Sequence, residues 1–190
     1  GTAYVAAGDL LRAAPALTEA LDLSQISDHA HIYTGAAILL GQLRLQQGRL
    51  HEAIRIYQQA RSRLTAQKQY VSVARITIAL SAALCEQDKL EEAARLINTH
   101  LALVEQSGYT AMLFLGHLTQ ARIHWADWHI EPFQASLDLA AQIAHIRQSQ
   151  TEQRIIAAWQ ARLWIAQGEL ELAMQWRAEA ASVSYTHLRA

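Results

Sequence analysis

Cysteine, proline and net charge are all scarce in this chain, and each shortage excludes something. The single cysteine, Cys85, cannot form an internal disulfide, so nothing implies an oxidising compartment. It falls in an apolar column and is expected to be a buried helix residue. Only two prolines, Pro15 and Pro132, interrupt the 190 residues. A formal net charge of −1 gives no field that would draw the chain to nucleic acid or to an acidic membrane. No apolar run approaches the ~18 residues needed to span a bilayer. There is no signal peptide, although the chain opens in mid-pattern, and the true N-terminus is expected to lie upstream. What is present instead is a 52% hydrophobic composition dominated by Ala and Leu, which suits closely packed helices.

The organising feature is a turn and its copies. A helix-period apolar run stops at Gly48 and another starts at Leu50, so Gly48 reads as the left-handed break between two antiparallel helices. Steps of forty lead to Gly8, Gly48, Asp88, Trp128 and Gly168. Two residues after each stand Leu10, Leu50, Leu90, Ile130 and Leu170; seven before stand the small residues Gly1, Gly41, Ser81, Ala121 and Ala161. Even Gln120-Ala121-Arg122 recurs as Gln160-Ala161-Arg162. Self-similarity at a fixed period of this size means stacked repeats, in which each unit buries its face only against its neighbours.

The pattern predicts an all-α array of antiparallel helix pairs over 1–181, in units of about 1–27, 28–68, 69–108, 109–149 and 150–181. Within them helices are expected near 29–47 and 50–67, 70–87 and 90–106, 110–127 and 131–147, and 151–167 and 170–182. Residues 1–7 match the end of a first helix, followed by one from about residue 9 or 10 to 23, in which Pro15 predicts a kink or a late start. Ser27 and Asp28 are capping candidates. Ser107-Gly108 closes a unit, and Glu131-Pro132 opens a helix. That helix reads as shifted by two, because Ala135 fills the small column better than Phe133. Residues 182–190 break the pattern and are expected to be a non-native or disordered tail.

Leu40-Gly41, Gly48, Ala53, Tyr57 and Ala60 follow the spacing of the tetratricopeptide repeat, whose usual period is about 34. The longer period, with Gly48-Arg49-Leu50-His51-Glu52-Ala53, Asp88-Lys89-Leu90-Glu91-Glu92-Ala93-Ala94-Arg95 and Ala161-Arg162-Leu163-Trp164-Ile165-Ala166-Gln167-Gly168, resembles the tetratricopeptide region of the large bacterial LuxR-type regulators, the MalT-like family. The resemblance implies a right-handed superhelix and a cytoplasmic sensing and scaffolding segment between a nucleotide-binding switch and a DNA-binding helix-turn-helix. A protein, peptide or small-molecule inducer would bind its concave groove. Neither a GxxxxGK[ST] loop nor a basic recognition helix occurs here, so the segment itself is expected neither to hydrolyse ATP nor to touch DNA, and to need no cofactor. The alternative is a free-standing peptide-binding adaptor or peptide-pheromone receptor.

The column six before the turn reads Gln42, Ala82, Arg122 and Arg162, at the edge of the first helices' packing face. The resemblance places that face in the groove, and its candidate binding residues are Gln42, Arg75, Arg122, Trp125, Arg162 and Trp164. An arginine fork matches carboxylate or phosphate; ordinary ion pairing competes with that reading. The five tryptophans, all after residue 124, read first as packing and second as a ligand-facing patch. His117, His124 and His129 lack HExxH or paired cysteines, so no metal is expected. Glu91 and Glu92 suit the positive end of a helix. The arginines between 49 and 63 suit a solvated face. With no catalytic constellation, an enzyme is not expected.

Overall fold

The computed structural model describes residues 10–26 and 29–176, which are all-helical apart from the links. The helices are α1 (Leu10–Ile26), α2 (Ala30–Gln46), α3 (Leu50–Ala66), α4 (Tyr70–Glu86), α5 (Leu90–Gln106), α6 (Thr110–Ala126), α7 (Ile130–Ile146) and α8 (Gln150–Gln167), with a further helical stretch at 170–176. Helices therefore start every twenty residues, and the forty-residue unit is two half-units of nearly equal length. The expected helix at 1–7, the caps Ser27 and Asp28, the helix end at 182 and the tail 182–190 lie outside the described residues.

The links explain this regularity. A left-handed residue recurs at Gly48, Lys68, Asp88, Gly108, Trp128, Gln148 and Gly168, with φ between 51 and 82°. At six of them the next amide donates to the carbonyl five residues back, as Arg49 does to Arg44 (2.8 Å), Gln69 to Leu64 (2.9 Å) and His129 to His124 (2.8 Å). The turn residue itself donates three back, as Gly48 does to Leu45 (3.0 Å). This Schellman closure satisfies carbonyls that a helix end would leave bare. At Gly108 the reversal differs, and Thr110 donates to the Gly108 carbonyl (2.9 Å). Lys68 and Gln148 carry no sequence signal for a left-handed turn, yet they occupy the same place as the glycines.

Helix α1 starts at Leu10 and runs through Pro15, so the late start does not occur. The expected shift of α7 is corrected. Helix α7 starts at Ile130 on the regular grid, not two residues late. Phe133, with none of its surface exposed, occupies the position held by Ala53 and Ala93, whereas Ala135 is exposed. The aromatic ring is accommodated there because it packs on Trp125, 5.1 Å between ring centres.

The chain forms two compact units, 1–136 and 137–190. In the first, the first helices of successive repeats pack on one another in the order α2, α4, α6. Helix α3 lies against α2 and α4, and α5 against α4 and α6. Helix α4 is consequently enclosed, and every residue from 74 to 84 is buried. A helix apolar on all sides is stable only in such a place. Helices α2 and α3 approach closely because Gly41 has no side chain: a Cβ there would overlap the Tyr57 ring. Tyr57 is 1% exposed, and its hydroxyl donates to the Ile38 carbonyl (3.3 Å). In the second unit, α8 buries Ala161 and Leu163.

Candidate functional site

The row α2, α4, α6 presents the first helices of three repeats, and Gln42, Arg75, Arg122 and Trp125 all lie on it. Gln42 is half-buried on α2. Arg122 on α6 is held by Glu86 at the end of α4 (2.8 Å), so its charge already has a counter-ion within the chain. The same guanidinium partly offsets the effect of burial on Cys85, whose thiol pKa is pushed up overall. Cys85 is half-buried rather than fully buried, because it lies near the open end of α4. Trp125 belongs to an aromatic cluster with Trp128 (5.3 Å) and Phe133 (5.1 Å), at the turn between α6 and α7.

Arg75 differs from the other arginines. It stands in the second turn of α4 and is only 8% exposed. Its guanidinium carbon lies 3.9 Å from the centre of the Tyr109 ring. Tyr109 precedes α6 and shares a 3.1 Å hydrogen bond between its hydroxyl and His31 Nδ1 on α2. One ring thus spans the starts of α6 and α2 and covers a cation on the helix between them. The buried Arg75 Nε has no hydrogen-bond partner. Burial lowers the guanidinium pKa, and Tyr109 partly opposes the shift.

In the second unit, Arg162 is exposed on α8 and lies over the Trp159 ring, 4.5 Å from its centre. Trp164 lines a cavity of about 340 Å³ with Trp176, Ile156, Asp138, Gln153 and Gln160, a mixed apolar and polar wall of the size a small ligand needs. Burial lowers the pKa of His117, which hydrogen-bonds Gln120 (3.2 Å). Among the described residues no group of three His, Cys, Asp or Glu is placed to hold a metal ion. No described helix is long and apolar enough to cross a membrane.

The whole chain, residues 1–190, matches the family described as MalT-like TPR region. The chain belongs to the MalT-like TPR family. No curated protein matches it. Among solved structures it is similar to the crystal structure of BtubC (BKLC) from P. vanneervenii, at 17% identity and a TM-score of 0.67, covering 97% of this chain and 76% of that one. That likeness shows the fold, helices packed in sequence as antiparallel pairs.

Within this MalT-like TPR region, Gln42, Arg75, Arg122 and Trp125 lie in the first compact unit and Arg162 and Trp164 in the second. Arg122 and Arg162 lie in separate compact units, each with a local partner. Arg75 is joined by Tyr109 and His31, to which sequence reading gave no binding role. Their 78-residue separation hides the pair. The twenty-residue grid could have revealed it, because residues 31, 75 and 109 all fall near the starts of first helices.

Proposed function

We propose that this chain is the signal-receiving segment of a LuxR-type transcription regulator, a non-enzymatic cytoplasmic binding module that engages a protein, peptide or small inducer on the row of first helices. The observation that carries this reading is the MalT-like TPR match across all 190 residues. The packing supports it: α2, α4 and α6 lie side by side, so a ligand laid across them touches several repeats at once. Binding would then change how repeats pack on their neighbours, the only contacts that a stacked array has for passing a signal along.

Sequencing the native gene tests the proposal. A phosphate-loop ATPase before the segment and a helix-turn-helix after it are expected. Repeats that run to a stop codon with neither domain would retire the regulator reading and leave a free-standing peptide-binding adaptor.

A further inference from the structure

A buried cation ordinarily sits against a carboxylate, because leaving water without a partner is costly. The partly buried arginines near the first-helix row follow that rule: Arg44 meets Glu52, and Arg122 meets Glu86. Arg75 is the most buried of these and has no carboxylate partner in the described chain. A Tyr face stabilises a guanidinium only in part, and it leaves the N–H edge without an acceptor.

The surroundings point the same way. The first turns of α2, α4 and α6 contain no acidic residue, and their preceding residues His29, Gln69 and Tyr109 make no side-chain cap. The second helices differ, with Glu52 in the first turn of α3 and Glu91 and Glu92 in that of α5. The positive ends of three helices are therefore uncompensated on the side where Arg75 lies.

An apolar cleft of about 230 Å³ adjoins this place, between α1 and α2, lined by Leu17, Ile32, Gly35, Leu39 and His31. His31 thus joins the cleft to the Tyr109 ring and so to Arg75. Gly35 leaves the cleft open, since a Cβ there would meet nothing within 4 Å. Ile32 on its wall is 52% exposed.

We propose that Arg75, under the Tyr109–His31 bridge, is an anion subsite that receives a carboxylate of an acidic peptide segment whose neighbouring apolar side chain enters the α1–α2 cleft. This deepens the binding role proposed above and rests on it. The guanidinium edge offers paired donors that suit a planar carboxylate. The apolar cleft next to it selects an amphipathic peptide over a bare anion. Tyr109 acts as a positioning residue: its ring holds the guanidinium and its hydroxyl fixes the ring to α2.

Fluorescence anisotropy with the intact 190-residue chain tests this. The probe is a short fluorescein-labelled peptide of alternating leucine and glutamate, compared with the same peptide carrying glutamine. The glutamate peptide is expected to bind about tenfold or more tightly, a preference that Arg75→Met removes. Tyr109→Phe keeps the ring and is expected to cost about two- to tenfold. The Arg75→Met melting temperature separates binding from folding: removing an unpaired buried charge should leave it equal or higher.

Equal binding of the two peptides by the native chain, or no binding of either, overturns the subsite. So does a glutamate preference that survives Arg75→Met and is lost in Arg122→Met, which would place the anion elsewhere on the row and leave the binding role standing. Displacement of the peptide by inorganic phosphate at matched ionic strength, acting through Arg75, would replace the peptide carboxylate with a phosphate-bearing ligand. These readings use the chain alone, so their failure is distinct from the absence of the flanking domains in the gene.

Discussion

At Lys68, Asp88, Trp128 and Gln148 a side chain sits on a left-handed backbone, which costs an L-residue roughly 1–2 kcal/mol that glycine avoids. The amides at these turns are engaged in the Schellman closure, so the neighbouring helices hold the strained residue in place. Gln148→Gly and Lys68→Gly should each stabilise the chain by about 0.5–1 kcal/mol, the relief being offset in part by the greater freedom of glycine when unfolded. Chemical denaturation would measure the change. Trp128→Gly should gain less, because it also removes the ring packed at a tilt against Trp125. His117 supplies a pH-dependent term. Burial, the largest influence, holds its pKa below the usual value, against smaller opposing effects from Gln120 and Glu105. The unfolded chain thus takes up the proton more readily. The stabilising contribution is intact above the unfolded value of about 6.5 and is lost as pH falls through the lower folded value. Thermal melts between neutral and mildly acidic pH should show a steeper loss of stability for the native chain than for His117→Gln.

Helix pairing depends on a column of small residues, and Gly41 is its tightest position. Gly41→Ala should cost about 1–3 kcal/mol, since the added methyl meets the enclosed Tyr57 ring. Tyr57→Phe should cost about 1 kcal/mol by removing the buried hydroxyl's hydrogen bond to the Ile38 carbonyl. If the clash is the cause, Gly41→Ala combined with Tyr57→Leu should be less destabilising than the sum of the separate changes in denaturant titrations. The columns Gly41/Ser81/Ala121 and Leu50/Leu90/Ile130 were legible because packing in a stack repeats the same constraint in every unit. Phe133 was misread because composition at one position does not reveal that Trp125 lies against it. Lys68 and Gln148 were invisible as turns, since neither residue type favours positive φ and only the flanking helices place them there. The Arg75 site was half legible: the arginine was named, but its partners reach it across repeats and leave no local motif.

A core cluster of buried residues runs from Tyr33 to Ile123 within the first compact unit, and α4 is its centre. Native-state hydrogen exchange should therefore find the slowest amides between 74 and 84, and faster exchange in α1 and in residues 170–176, where Leu170 and Met174 are 57% and 67% exposed. Uniform protection along the whole chain would contradict this ordering. The strict spacing of helix starts has a further consequence. A cut in the gene after the codon for Gly48, rejoined after that for Asp88, would excise one helix pair and fuse two equivalent turns without a frameshift. Duplication by the same crossover would add a pair. The length of such a protein can thus drift by whole hairpins over generations, with each intermediate inheriting intact joints.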